Sequence, residues 1–457
     1  MPSPRRAHVL LGILVAVAVA VRIPLLGGPQ IDYDEGVYWE SLRSMAAGHP
    51  LFSQVYSSQP PGFLAALYPF YLLGHSLIAA RAGALFFFAL SLVAMYVAAR
   101  ALCGHERVAL LAALVLAVDP LMLRQSVALQ ADGPAVALGV VALAFAAVRL
   151  RSGSRLSGAA LGLLSGASLA LAVQVKLLAV VAAVPVILVL YSRRRLLAGV
   201  AGGVAGTAVV LAPFATRLSL VWAQAVSSHV GARALDEGGL FTADMRAALL
   251  REAAVAALAL LGAAVLWRRR MRGALLVIVL WLAACVALAL EQHPLWPHHL
   301  VVAVPPLAMA AGGLGAVALP RLAASAAALG GVVLLLVVGE RALVDPATAD
   351  TLPAAVATLR LVAAPGQLVI TDDQFAAAAA GLDTPPEMVD ASVVRLDSQP
   401  VTTADVERIA ERDGVRAFYF GTNRLVHLDG LVAWVAEHYP RRTGIPGNAA
   451  AVVFSKY

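Results

Sequence analysis

Three carboxylates follow directly on the first long apolar run of the chain. Asp32, Asp34 and Glu35 lie in the stretch IDYDEGVYWE, and Tyr38 follows three positions beyond Glu35. A carboxylate in such a place can take a proton from a hydroxyl group or hold a cation. The same residues would also suit the start of a helix, where Asp34 would cap the backbone and interact favourably with the helix dipole. Both interpretations stay open from these residues alone.

A second set of charges surrounds one short predicted loop, VDPLMLRQSVALQADGP. It contains Asp119, Arg124 and Asp132, so two acids and a cation would lie at one end of the neighbouring apolar segments. Asp132 would alternatively do no more than cap the helix that it precedes.

Lys176 is one of only two lysines, the other being Lys456, and it lies between two apolar runs in LALAVQVKLLAVV. An ammonium group in such a place is costly unless it pairs or reaches the lipid headgroups. Two roles follow, a lysine whose stem extends to the membrane surface or a lysine that binds an anion at the lipid–water boundary.

Histidines cluster in the stretch EQHPLWPHHLVVAVPPLAMAAG, where His298 and His299 are adjacent and His293 and Glu291 precede them. Three histidines suggest a metal, but their spacing between prolines fits no compact ligand motif. We therefore favour interfacial hydrogen bonding by His298 and His299 over metal ligation.

The composition defines a membrane protein, because 61% of the residues are hydrophobic and only 13% are charged. The formal charge of +7 comes mostly from arginines in short clusters between apolar runs, the pattern of cytoplasmic loops. Nucleic acid is therefore not an expected partner. Cys103 and Cys285 both fall in the apolar region, which leaves no disulfide for an outer domain.

We predict about eleven transmembrane helices, each long enough for a hydrocarbon core of about 30 Å. The first is interpreted as a retained helix, although Arg5 and Arg6 before an apolar run would also suit a cleaved signal peptide. With the N-terminus inside, the arginine clusters face the cytoplasm, and every carboxylate before residue 345 except Glu106 faces outward. The predicted spans are 8–26, 80–101, 106–121, 132–150, 156–173, 177–192, 196–215, 252–267, 273–290, 300–319 and 322–340.

The apolar stretch 60–76, PPGFLAALYPFYLLGHS, is short and interrupted by prolines. If it crossed the membrane, every later arginine cluster would change sides. We therefore predict an interfacial or re-entrant helix that does not span.

The chain changes character near residue 345, which divides it into a transmembrane domain over 1–344 and a small soluble α/β domain over 345–457. Strand-like runs (367–370, 415–420 and 450–454) alternate there with helix-like ones (402–414 and 428–438). The parity of the spans places this domain outside the cell. Its stretch ITDD would form a solvated loop or, less in keeping with an α/β tail, a cation site.

The order of these features resembles the GT-C superfamily of membrane glycosyltransferases, in particular its protein O-mannosyltransferase and lipid A aminoarabinose transferase branch. The matching elements extend over most of residues 8–320. They are YDEGVYWESLRSMAAGHPLF, QPPGFLAALYPFYLLG, Arg81 in AARAGALFF, LQADGP, the lysine after the fifth span, and HHLVVAVPPLAMAAG. One departure is Ser58-Gln59, where some relatives carry an acidic and a basic residue.

The resemblance implies a role for each matching position. Asp34 would activate the acceptor, with Glu35 supporting it or a metal, Asp132 would be the acid of the second loop, and Lys176 would bind a phosphate. Other residues would serve around them: Arg124 beside Lys176 at the phosphate, Asp119 as a supporting acid, and Tyr38, Gln59, Arg81, His298 and His299 along the substrate cavity. The resemblance leaves open whether a divalent cation, Mg or Mn, is required, because Ser58-Gln59 replaces the acidic and basic pair of some relatives. Its ligands would be Glu35 and Asp132.

The expected activity is that of a hexosyl- or pentosyltransferase in a bacterial inner or plasma membrane. An outward-facing transferase needs an activated sugar that crosses with its own anchor, as a polyprenyl-phosphate sugar does. An acceptor hydroxyl on an extracytoplasmic glycan, lipid or protein would attack the anomeric carbon with inversion.

Two other classes compete with this interpretation. A transporter or flippase of a lipid-linked sugar would place ionisable groups near the middle of the membrane and show internal symmetry. A scaffold without chemistry would bind the lipid-linked sugar through its outer domain.

Overall fold

The computed structural model describes residues 4–148, 157–232, 239–317, 346–398, 401–422 and 424–456. Within them, seven helical segments are long and apolar enough to cross a membrane. These are Arg5–Gly27, Leu77–Cys103, Gly158–Val175, Arg193–Gly231, Ala243–Arg268, Arg272–Glu291 and Pro297–Ala316.

Three further predicted spans coincide with helices that are too short to count among these seven: Glu106–Val118, Asp132–Ala147 and Leu177–Val189. All the predicted spans except the last thus coincide with helices, and the last, 322–340, lies outside the described residues. The membrane fold is confirmed.

The chain bends sharply after Glu106–Val118. Asp119 accepts a hydrogen bond from the Met122 amide (2.9 Å) and so caps the short helix Pro120–Val127, whose first residue lacks an amide to satisfy. This helix and Asp132–Ala147 meet at 111°. The bend carries Arg124 and Asp132 to the same end of the helix bundle.

Two short helices lie between the first two long ones. Pro61–Leu72 has 12 residues, a length of about 18 Å, which is too short for a hydrocarbon core of about 30 Å.

Tyr33–Ala46 begins after Asp32, whose side chain accepts from the Asp34 amide. The alternative in which Asp34 caps the helix is therefore wrong, since Asp32 takes that position and the Asp34 side chain makes no capping bond.

The C-terminal domain has a four-stranded sheet, β1 (Val369–Thr371), β2 (Ala417–Phe420), β3 (Arg441–Ile445) and β4 (Asn448–Ser455), in the order β1-β2-β4-β3. β1 and β2 are parallel and the other pairs antiparallel. β3 was not predicted, because its residues 441–444 are exposed and give no apolar alternation. The helices are Pro346–Val362, Gln374–Ala380, Val393–Ser398, Thr403–Arg412 and Leu431–His438.

The domain packs on the helix Tyr33–Ala46 by close backbone contact. A Cβ on Gly36 would lie 2.4 Å from the Phe375 amide nitrogen, so only glycine permits this approach. Trp39 meets the Phe375 ring edge-on, and Arg43 pairs with Asp383 at 2.5 Å. The helix that carries the acidic motif is therefore held from both sides, by the bundle and by the C-terminal domain.

Candidate active site

A polar cavity of about 580 Å³ lies where the ends of several helices meet the C-terminal domain. Its wall combines segments that are far apart in the sequence. It includes Asp32, Asp34, Gln59, Arg124, Lys176, His229, Arg251, His298, His299, Ser392 and Arg424.

Asp34 presents a carboxyl group to this cavity near the start of its helix. The Tyr38 hydroxyl, one turn on, donates to its Oδ2 at 3.4 Å. Burial and the negative charge of Asp32 raise the pKa of Asp34 from 3.8 to about 6. A carboxylate of that pKa is largely ionised at neutral pH and is still basic enough to take a proton.

Asp32 has the opposite electrostatic environment. Burial alone would raise its pKa, but a hydrogen bond and the charge of His298, together with the charge of Arg124, lower it to about 2. Its Oδ2 lies 3.6 Å from the Nδ1 of His298 and 3.4 Å from an Arg124 guanidinium nitrogen. Asp32 therefore stays ionised, and Asp34 is the better proton acceptor of the two.

Glu35 is fully buried and does not line the cavity. Its carboxylate accepts from the Nε and Nη2 of Arg81, one edge of the guanidinium, at 2.9 and 2.7 Å and also accepts from the amides of Ile31 (2.8 Å) and Leu129 (2.7 Å). Arg81 in turn donates to carbonyls of the loop before the helix. Contrary to expectation, neither residue faces the cavity, and together they fix that loop.

Lys176 lines the cavity and is only 8% exposed. Its Nζ donates to Oδ2 of the fully buried Asp132 at 2.6 Å. An ammonium group has three donors, so this bond orients the group and leaves two donors for a ligand. Asp132 thus lies behind Lys176 rather than in the cavity wall.

Arg124 also faces the cavity and donates to the Ile31 carbonyl, and its Nε has no hydrogen-bond partner within the described parts of the chain. Asp119, by contrast, is completely buried and does not reach the cavity. Tyr38 touches the site only through Asp34.

The two adjacent histidines both line the cavity. His298 faces Asp32, and His299 Nδ1 accepts from the Trp296 amide at 3.3 Å. Across the residues described, no group of three or more His, Cys, Asp or Glu side chains is arranged to hold a metal ion. Because the Glu35 oxygens already accept four hydrogen bonds and Asp132 pairs with Lys176, these two predicted ligands do not fit a metal here.

An apolar groove of about 210 Å³ adjoins the polar cavity and shares four of its lining residues, Leu121, Leu178, Gln292 and His299. Apolar residues of Ala243–Arg268, Arg272–Glu291 and Pro297–Ala316 form most of the groove. Polar cavity and apolar groove together suit a ligand with a charged head and a hydrocarbon tail.

Sequence reasoning missed the contribution of the C-terminal domain, which brings Ser392, Val393, Val394 and Arg424 to the wall. It also missed His229 and Arg251, which lie on membrane helices. No local pattern marks these residues, because their position depends on how the two domains pack.

Comparison with known structures identifies the class of fold. ArnT from Cupriavidus metallidurans in the apo state is 17% identical, with 97% of each chain covered and a TM-score of 0.68. The same protein bound to undecaprenyl phosphate gives 16% identity, 97% of each chain and a TM-score of 0.70. AglB from Archaeoglobus fulgidus, in complex with an inhibitory peptide and a dolichol-phosphate, gives 13% identity over 95% of this chain and 72% of that one, with a TM-score of 0.53. The chain has a GT-C membrane fold.

Part of the sequence also matches a family profile. Residues 30–200 match the family profile described as dolichyl-phosphate-mannose-protein mannosyltransferase (PMT). No curated protein sequence matches the chain. The resemblance to the GT-C superfamily is thus confirmed in the fold and, over the PMT region, in the sequence.

Proposed function

We propose that the protein is a membrane glycosyltransferase that moves a single sugar from a polyprenyl-phosphate carrier to a hydroxyl group of an extracytoplasmic acceptor. One observation carries the proposal. Asp34, a carboxyl group whose pKa is raised to about 6, shares a cavity with the cations Lys176 and Arg124, and an apolar groove opens from that cavity.

The donor would bind with its phosphate at Lys176 and Arg124 and its tail along the groove. Charge-assisted hydrogen bonds to a phosphate are strong, and the Lys176 ammonium retains two donors that no described protein group uses. Arg124 adds a second positive charge to the cavity wall. ArnT from Cupriavidus metallidurans binds undecaprenyl phosphate, which supports a lipid phosphate as the head group.

Asp34 would take the proton of the acceptor hydroxyl while its oxygen attacks the anomeric carbon on the face opposite the phosphate. The carbon–oxygen bond to the phosphate breaks, its electron pair leaves with the polyprenyl phosphate, and the sugar is inverted. A positioned base contributes typically about 10²–10⁴-fold to the rate. Lys176 and Arg124 would stabilise the charge that develops on the leaving phosphate.

The test uses purified protein with a labelled polyprenyl-phosphate sugar and a bacterial envelope fraction as acceptor. A transferase releases free polyprenyl phosphate and labels the acceptor. A flippase would carry the intact donor across a vesicle membrane without release, and a scaffold would bind it and do neither. Donor that stays intact after incubation with folded protein and acceptor would refute the proposal.

We further propose that the soluble domain over 345–457 faces outward in a bacterial inner or plasma membrane. The arginine clusters, on the opposite side by the parity of the spans, support this orientation. Glu437→Cys and Arg269→Cys introduce exposed thiols on the two sides, while both native cysteines are buried. A thiol reagent that cannot enter intact cells should label only the Glu437→Cys protein, and the reverse pattern would contradict the orientation.

A further inference from the structure

The C-terminal domain contributes a cation to the cavity. Arg424 lines the wall, and the centre of its guanidinium lies 3.6 Å from the ring centroid of Tyr33. The Tyr33 hydroxyl donates to Gln374 Oε1 at 3.2 Å, so the ring itself is held by the same domain. Tyr33, Asp34 and Arg424 all line the same cavity, so the guanidinium and the proposed base face a common space.

The backbone that carries Arg424 is fixed by one buried acid, Asp372. Its Oδ1 accepts from the amides of Gly421 (2.8 Å) and Thr422 (2.9 Å), and its Oδ2 accepts from those of Arg424 and Leu425, both at 3.1 Å. Four such bonds compensate the burial of a carboxylate. They also rule out the cation site that the ITDD motif left open at this residue.

Apart from its stacking on Tyr33, the guanidinium of Arg424 has no partner among the described residues. Among the residues that the structure describes, no carboxylate lies within ion-pair distance of it and none of its side-chain nitrogens makes a hydrogen bond. The acids around it, Asp373 and Asp390, act only at longer range. A partly buried guanidinium with five unused donors is arranged to bind a planar or tetrahedral anion.

We propose that Arg424 binds an anionic group of the acceptor, a carboxylate or a phosphate, and that Asp372 is its positioning residue. The inference rests on the proposed function and deepens it. The donor phosphate already has Lys176 and Arg124, which belong to the membrane domain, whereas Arg424 comes from the soluble domain. An acceptor held there would present a neighbouring hydroxyl to Asp34.

The test is a binding measurement on full-length protein in lipid nanodiscs, with and without saturating undecaprenyl phosphate. The probes are methyl glucuronide, methyl glucoside 6-phosphate and neutral methyl glucoside. Wild type should bind one of the two anions about 10- to 100-fold more tightly than the neutral glycoside, as a hydrogen-bonded charge pair gives. Which anion is preferred identifies the acceptor as an acidic sugar or a phosphorylated one.

Arg424→Gln should abolish this preference and leave the affinity for undecaprenyl phosphate unchanged. Arg424→Lys should keep part of the preference, and Asp372→Asn should weaken it by freeing the loop. Arg442→Gln, a substitution at an exposed position of β3, should behave as wild type. Thermal unfolding of each variant shows that the comparison is made between folded proteins.

Two results would overturn the proposal. One is an anion preference that persists in both Arg424 variants or is missing in wild type. The other is a loss of undecaprenyl phosphate binding in Arg424→Gln, which would assign the residue to the donor. If wild type binds the anion selectively but transfers no sugar from a labelled donor, the proposed function fails while the anion site stands.

Discussion

Replacing Asp34 by asparagine should make the protein more stable and at the same time nearly inactive. Asparagine preserves the size of the side chain and can still accept from the Tyr38 hydroxyl, but it cannot take a proton from an acceptor. We expect turnover to fall by about 10²-fold or more. The free energy of unfolding should rise because burial and the charge of Asp32 disfavour the ionised form of the Asp34 side chain.

The magnitude follows from the pKa of Asp34. Burial and the charge of Asp32 raise it from 3.8 to about 6. Each unit corresponds to about 1.4 kcal/mol, so the ionised group costs on the order of 3 kcal/mol. The folded form holds its proton more tightly than the unfolded form, so stability falls as pH rises from the unfolded to the folded pKa. The free energy of unfolding of Asp34→Asn should therefore exceed that of wild type by about 1 kcal/mol near about pH 4.5 and by about 3 kcal/mol above about pH 7.

Asp32→Asn is the matched control, since the pKa of Asp32 is lowered to about 2 by His298 and Arg124 against the effect of burial. Its ionised form stabilises the fold above the unfolded pKa, so this substitution should lower stability at neutral pH. The loss should be below about 2 kcal/mol, because the substitution also removes the repulsion that raises the pKa of Asp34. Unfolding midpoints of wild type and both variants in one detergent, at acidic and neutral pH, measure the two opposite signs. Turnover of wild type should rise with pH through about 6 and then level off.

Two results would refute this reasoning about Asp34. Near-normal turnover of Asp34→Asn would exclude it as the base. An Asp34→Asn protein no more stable than wild type at neutral pH would mean that the carboxylate is not held at a raised pKa.

Substitutions at three further positions test the surroundings of the site. Glu35→Gln should destabilise the protein by about 3–5 kcal/mol, seen as poor yield of folded protein, because it leaves the buried guanidinium of Arg81 uncompensated. Lys176→Ala should weaken binding of undecaprenyl phosphate by about 10- to 100-fold, measured by titration, while Lys176→Arg keeps most of it. Gly36→Ala should loosen the C-terminal domain, since its Cβ would lie 2.4 Å from the Phe375 amide nitrogen, and limited proteolysis should then release the domain faster than from wild type.

Hydrophobicity and charge are local properties, and they were enough to predict the membrane domain. A long apolar run is buried by the lipid bilayer whichever helices lie beside it, so its place can be predicted from the run alone. For this reason the helices appeared where apolar runs predicted them, and Lys176 stood out as a cation that had to pair or bind. The pairing with Asp132 is the part that the sequence left open.

The role of each carboxylate was decided by the tertiary structure. Asp34 and Glu35 are neighbours in the sequence, but successive residues on a helix point about 100° apart. Glu35 therefore meets Arg81 in the protein interior, whereas Asp34 faces the cavity. A pattern of residue types cannot distinguish two adjacent acids, because only the packing around the helix determines which one is enclosed and which one stays free to react.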